Sequence, residues 1–74
     1  MERLNLRQLE IFSAVVDAGS FTAAAEKLYL AQSTVSDNVR ALEELLHLKL
    51  FHRESKRRLT LTLEGKRVYR YAQD

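Results

Sequence analysis

Four side chains with hydrogen-bonding groups stand close together near the middle of the chain. They are Gln32, Ser33, Thr34 and Ser36. The Gln32 amide can donate and accept at once, as bidentate recognition of adenine in a DNA major groove requires. The hydroxyls can contact bases or phosphates, and the Thr34 methyl group can meet a thymine methyl. Serine at a helix start can also serve for capping alone, and this alternative stays open for Ser33. No large apolar residue shares their face, so this face is not expected to be buried in protein. The four residues together therefore indicate contacts to DNA.

Asp37 and Arg40 extend this polar set. A carboxylate at position 37 repels phosphate, but it can accept a hydrogen bond from cytosine N4, so Asp37 is a candidate base contact. Arg40 is a candidate phosphate contact. The alternative that the sequence favours for Asp37 is a solvated side chain, or a pair with Arg40 three residues further along a helix.

Basic residues are concentrated in the last third of the chain. Residues 49–70 carry eight basic and two acidic residues, whereas residues 1–48 carry four basic and seven acidic ones. The densest cluster consists of Arg53, Lys56, Arg57 and Arg58. Such residues at a hairpin tip can straddle phosphates or reach into a minor groove. The distribution indicates an anionic partner, although the acidic first part counts against DNA unless it lies on the far face.

Further phosphate contacts are expected near the start of the chain. Ser20 and Thr22 stand at the predicted N-terminus of a second helix, where unpaired amides and the helix dipole favour an anion. Arg7 adds a positive charge on the predicted first helix.

The elements that position these side chains are predicted to be short helices. Asn5 can cap the first helix, with Gln8 completing a capping box. Gly19 is typical of a helix stop. Ser20 then caps a second, alanine-rich helix, and residues 29–31 form the turn to the third.

The third helix is predicted to run from about Gln32 to Leu46. Its apolar residues recur at i, i+4, i+7 and i+11, which is the spacing of a buried helix face. These residues are Val35, Val39, Leu42 and Leu46. The polar set lies on the opposite face.

Two short strands, 50–53 and 58–61, are predicted to form a β-hairpin wing. Thr62 caps a final helix that begins near Leu63. Leu61 and Leu63 are expected to anchor the start of that helix. Its apolar side contains Val68, Tyr69, Tyr71 and Ala72. These four residues predict a two-fold dimer contact, and the alternative is that Tyr69 or Val68 folds back onto the first helix.

Composition excludes several classes of function. The 74 residues form one small domain without room for a deep substrate cavity. There is no cysteine, and His47 and His52 are the only histidines, so a disulfide, a metal site or another cofactor is not expected. The sequence shows neither a signal peptide nor a membrane-length apolar run, which predicts a cytoplasmic protein without a membrane partner. No combination of side chains indicates an enzyme.

Five motifs occur in register. They are Gly19-Ser20-Phe21-Thr22-x-Ala24-Ala25, Gln32-x-x-Val35-Ser36, Leu42-Glu43-x-x-Leu46, Leu50-Phe51-x-Arg53 and Leu61-Thr62-x-x-Gly65. Together they resemble the N-terminal DNA-binding domain of LysR-type transcriptional regulators, from about Leu4 to the C-terminus.

The resemblance implies a mainly α winged helix-turn-helix, with a three-helix core, a short two-stranded wing and a C-terminal linker helix. Residues 1–62 would be the DNA-binding domain and residues 63–74 the start of the dimerisation helix. Gln32 and Ser36 would contact a promoter or operator duplex, and two chains would pair along the last helix. The family's larger effector domain follows that helix, so no small-molecule ligand is expected for this fragment.

Three positions depart from the family pattern. Ser33 replaces a usual proline, Asp37 replaces a usual arginine or lysine, and His47 replaces a usual glycine. Weaker phosphate affinity of the third helix is therefore expected, and that helix would end without a left-handed glycine. The alternative function is a winged-helix module that binds an acidic protein.

Overall fold

The computed structural model describes residues 5–52 and 59–73. It contains the predicted helices and two very short strands, in the order α1 Leu6–Ala18, α2 Phe21–Leu28, α3 Gln32–Leu46, β1 Phe51–His52, β2 Thr60–Leu61 and α4 Leu63–Gln73. The mainly α, winged helix-turn-helix fold class is thereby confirmed. Within the described ranges, no helix is long and apolar enough to cross a membrane.

Local capping explains where the first two helices begin and end. The Asn5 side chain accepts a hydrogen bond from the Arg7 N–H at 2.8 Å, and Ser20 Oγ accepts one from the Ala23 N–H at 3.0 Å. Gly19 ends α1 in the left-handed conformation, with φ of 84°. The reciprocal half of the predicted capping box is absent, because Gln8 Oε1 is buried without a hydrogen-bond partner among the described residues.

Helices α2 and α3 both end at a left-handed residue that is not glycine. Tyr29 has φ of 58° and His47 has φ of 57°. After each of these residues the chain leaves the helix, and the next N–H group donates a hydrogen bond to a carbonyl of the last turn. Leu30 donates to the Ala25 carbonyl at 2.9 Å, and Leu48 donates to the Glu43 carbonyl at 3.1 Å. His47 therefore adopts the conformation for which glycine is usual.

The core lies between the first three helices and is closed by β1. Its fully buried side chains include Phe12, Val15, Val35, Val39, Leu42 and Leu50. The Phe51 ring lies 5.4 Å from that of Phe12 and 5.6 Å from that of Phe21, measured between centroids. These tilted aromatic contacts fix β1 against α1 and α2. Leu46, the last member of the predicted stripe, is half-buried.

The two strands pair directly before α4 begins. The two strands are antiparallel, with Phe51 opposite Leu61 and His52 opposite Thr60. Leu61 packs against the core, as predicted. Leu63 does not, because α4 turns its first residue to solvent and leaves Leu63 62% exposed.

Candidate nucleic-acid interface

Helix α3 has one buried face and one polar face. The side chains of Val35, Val39 and Leu42 have no exposed surface. On the other side, the exposed residues include Gln32, Ser33, Thr34, Asp37 and Arg40, and Ser36 is half-buried beside them. The structure therefore brings the predicted base contacts together on a single surface at the start of α3.

The first turn of α3 lacks a side-chain cap. Its N-cap residue is Ala31, which has extended backbone and makes no capping hydrogen bond through its side chain. Asn5 and Ser20 do cap the two preceding helices. Ser33 lies inside α3 rather than at its N-cap, so the capping alternative does not account for this serine.

Asp37 and Arg40 contact each other, as the alternative for Asp37 predicted. Their Oδ1 and Nη1 atoms are 3.9 Å apart, and the two side chains are 74% and 62% exposed. An exposed pair at this distance contributes little to stability. Both side chains can therefore exchange this contact for a partner outside the chain.

The other candidate phosphate contacts on the helices are also at the surface. Ser20 Oγ accepts from Ala23, but a hydroxyl that accepts still has a hydrogen to donate. Thr22 is exposed one residue after the start of α2. Arg7 is exposed and lies 3.9 Å from Glu10, measured from Nη1 to Oε1.

The basic cluster of the wing lies outside the described residues. This holds for Arg53, Lys56, Arg57 and Arg58. The paired residues His52 and Thr60 mark where the two strands of the hairpin lie side by side.

The predicted dimer residues divide into two groups. Val68, Tyr69 and Ala72 are half-buried and pack against the core of their own chain. The Tyr69 hydroxyl also donates a hydrogen bond to Asp17 Oδ1 on α1. Tyr71 is 67% exposed. The fold-back alternative thus describes Tyr69, which contacts α1, and the dimer contact itself stays a prediction.

A shallow groove between α1 and α4 has exposed apolar side chains at its rim. Leu6 and Tyr71 line it together with Leu9, Ala14 and Ala72. Leu6 has the helical spacing from Leu9 that an apolar face of α1 would show, yet it is 71% exposed. The lining of the groove is mixed, because it is also bordered by Glu10, Ser13, Asp17 and Gln73.

Sequence reasoning missed the role of Glu43. This residue is only 5% exposed, and its Oε2 atom accepts a hydrogen bond from the Leu50 N–H at 2.8 Å. The signal was its position four residues after Val39 and next to Leu42, which puts an acidic side chain at the edge of a buried stripe. Glu43 thus joins α3 to Leu50, the residue directly before β1. In residues 5–52 and 59–73, no group of three histidine, cysteine or acidic side chains could hold a metal ion.

The fold and the exposed start of α3 define a winged helix-turn-helix protein. Residues 6–66 match the family model described as bacterial regulatory helix-turn-helix protein, lysR family. The chain therefore belongs to the LysR family of bacterial regulatory helix-turn-helix proteins.

Individual relatives agree with this assignment. The chain is 45% identical over 69 residues to the RuBisCO operon transcriptional regulator of Allochromatium vinosum, covering 93% of this chain and 22% of that protein. It is 44% identical over 73 residues to the transcriptional activator protein LysR of Escherichia coli K12, covering 99% and 23%. The crystal structure of the BenM DBD with catB site 1 DNA superposes with a TM-score of 0.89 at 44% identity, covering 95% of this chain and 77% of that chain. The chain thus spans less than a quarter of the length of either regulator.

Proposed function

We propose that this chain binds double-stranded DNA sequence-specifically, as the DNA-binding part of a transcriptional regulator. The observation that carries the proposal is the two-faced α3, on which Val35, Val39 and Leu42 are fully buried while the polar residues of the first turns are exposed. A helix anchored in this way can enter a major groove with its N-terminal residues against the base edges. Similarity to the BenM DBD, whose structure was solved with DNA, supports the same partner.

Base contacts are assigned to the exposed start of α3. Gln32 pairs with adenine, and Ser33, Thr34 and Ser36 contact neighbouring bases or phosphates. Asp37 accepts from a cytosine amino group when Arg40 turns from Asp37 to a phosphate. Because the pair is exposed and its charged atoms are 3.9 Å apart, breaking it costs little free energy.

Phosphate contacts are assigned to three other places. The start of α2 contributes Ser20 and Thr22, and α1 contributes Arg7. The wing contributes the basic cluster Arg53, Lys56, Arg57 and Arg58. These contacts would supply most of the sequence-independent affinity.

Residues 63–74 are assigned to pairing of two chains. Tyr71 and Leu6 expose apolar surface at the groove between α1 and α4, and a two-fold partner would cover it. Residues 1–62 then act as the DNA-binding unit. No cofactor or small-molecule ligand is assigned to these 74 residues. An acidic protein partner is not favoured by any contact of the described residues.

Selection of bound sequences from a random duplex pool tests the proposed function. We expect enrichment of two inverted half-sites, and an affinity that falls linearly with the logarithm of salt, by about 0.9 per phosphate contact in a log–log plot. Polyglutamate of matched charge serves as the competitor for the alternative function. Equal binding of all duplexes, or displacement of the selected duplex by polyglutamate at equal charge concentration, would contradict the proposal.

A further inference from the structure

Helix α4 is fixed at its first turn by contacts to Lys49 and Leu50, the two residues that precede β1. Thr62 Oγ1 accepts from the Gly65 N–H at 2.9 Å and donates to the Lys49 carbonyl at 2.5 Å. The Thr62 N–H donates to the Leu50 carbonyl at 3.0 Å. A Cβ atom at Gly65 would lie 2.1 Å from the same Leu50 oxygen, so the helix backbone touches the backbone of Leu50 here. This contact fixes the position of the start of α4.

A second link holds α4 one turn further along. The Tyr69 hydroxyl donates to Asp17 Oδ1, which joins α4 to the last turn of α1. A carboxylate in the last turn of a helix faces the negative end of the helix dipole, where a cation is normally favoured. The donated phenol hydrogen offsets this unfavourable placement. The pKa of Tyr69 is raised, mainly by the hydrogen bond to Asp17, which agrees with a neutral phenol that donates.

The hydrogen bond constrains the direction of α4 in a way that the apolar contacts do not. Val68 and Ala72 pack against the core, but apolar contacts are non-directional and tolerate sliding. A hydrogen bond requires both a short distance and a favourable angle. Tyr69 lies four residues from Gly65, about 6 Å along the helix axis, so a displacement of about 1 Å at Tyr69 turns α4 by about 10°.

We propose that Asp17 and Tyr69 are positioning residues that set the angle between α4 and the helix-turn-helix, and thereby the half-site spacing that a pair of chains prefers. The inference rests on the proposed function, because spacing is defined only for two DNA-bound chains that pair through α4. It assigns to this pair a part in specificity although neither residue lies on the polar face of α3.

Four chains test the positioning role. Tyr69→Phe keeps the ring and removes the donor, and Asp17→Ala removes the acceptor. Asp17→Asn keeps an acceptor oxygen and is the matched control. Each chain is titrated against a duplex with one selected half-site, and against duplexes with two inverted half-sites whose spacing changes in steps of one base pair over about one helical turn of 10–10.5 base pairs.

We expect all four chains to bind the single half-site alike, to within about twofold. The unchanged chain and Asp17→Asn should share one preferred spacing. In Tyr69→Phe and Asp17→Ala the preference for that spacing should fall by about fivefold, as the loss of one ordinary hydrogen bond allows. A Tyr69→Phe spacing profile equal to that of the unchanged chain would overturn the inference, and so would an unchanged chain that binds half-sites with no spacing preference. Failure of the unchanged chain to select any half-site would instead refute the proposed function.

A measurement without DNA examines the same angle directly. The chain has no cysteine, so spin labels can be placed at the exposed positions Glu44 on α3 and Gln73 on α4 through Glu44→Cys and Gln73→Cys. We expect the distance distribution between the labels to broaden in Tyr69→Phe and to keep its width in Asp17→Asn. An identical distribution in Tyr69→Phe would show that the hydrogen bond does not set the angle.

Discussion

The two ends of α3 have different surroundings. At its start, Ala31 provides no side-chain cap, and Gln32 and Ser33 project into solvent. Further along, Leu42 is fully buried and the Glu43 carboxylate accepts the Leu50 N–H. The second half is therefore fixed by the domain, whereas the first half leaves its hydrogen-bonding groups to an external partner. Substitutions of Leu42 and Glu43 should change the free energy of unfolding, and substitutions of the exposed polar residues in the first half should change DNA binding.

The largest effect is expected at Leu42. Leu42→Ala should lower the free energy of unfolding by about 2–5 kcal/mol, because it removes buried methyl groups and leaves a cavity. So small a domain has a total stability near the low end of about 5–15 kcal/mol, so the variant should be largely unfolded or close to it. Urea denaturation measures the change, with Glu44→Ala as the control at an exposed position of the same helix. A Leu42→Ala midpoint equal to that of the control would show that the second half of α3 does not carry the fold.

A smaller loss is expected when Glu43 can no longer accept a hydrogen bond. Glu43→Leu should lower the free energy of unfolding by about 1–3 kcal/mol, because the buried Leu50 N–H loses its acceptor. Glu43→Gln retains an acceptor oxygen and should lose less. The same denaturation experiment compares the two. Equal stability of the two variants would mean that the bond to Leu50 does not matter.

A gain in stability of about 1 kcal/mol is expected for His47→Gly, because glycine adopts a positive φ without steric cost. His47→Ala retains a Cβ atom and should bring no comparable gain. Thermal melting at neutral pH measures both. If alanine stabilises the domain as much as glycine does, the left-handed backbone at the end of α3 is not the cause.

The smallest effect is expected from alkaline pH. The folded pKa of Tyr69 lies above the usual 10.0, chiefly through its hydrogen bond to Asp17, so the folded state retains the phenol proton more strongly than the unfolded state. The contribution of this group to stability is complete below pH 10 and is lost as the pH rises through the folded pKa. The melting temperature of the unchanged chain should therefore fall more steeply above pH 10 than that of Tyr69→Phe. Parallel curves would contradict the assigned bond.

Features set by neighbouring residues could be predicted from the sequence. The caps at Asn5, Ser20 and Thr62 and the bounds of α3 follow from local side-chain chemistry and helical spacing. The buried stripe of α3 follows from the same periodicity. The polar face at the start of α3 was predictable as its complement.

Features that depend on distant partners could not be predicted in the same way. The hydrogen bond between Tyr69 and Asp17 joins residues 52 positions apart, and no local pattern specifies that α4 lies back on α1. The burial of Glu43 depends likewise on where the segment before β1 places the Leu50 N–H. Helical spacing would also put Leu6 on the same face as the buried Leu9, although the groove between α1 and α4 leaves Leu6 exposed.

The most direct measurement of the difference between the two ends of α3 is the affinity of Gln32→Ala for every single-base-pair variant of the selected half-site. Gln73→Ala is the matched control, because it makes the same substitution at an exposed position on α4. Gln32→Ala should lose about 1–3 kcal/mol on the preferred site, relax the preference at one base pair and leave the melting temperature unchanged. Gln73→Ala should alter none of these. A loss in Gln32→Ala that is equal on all duplexes would contradict base recognition by the start of α3.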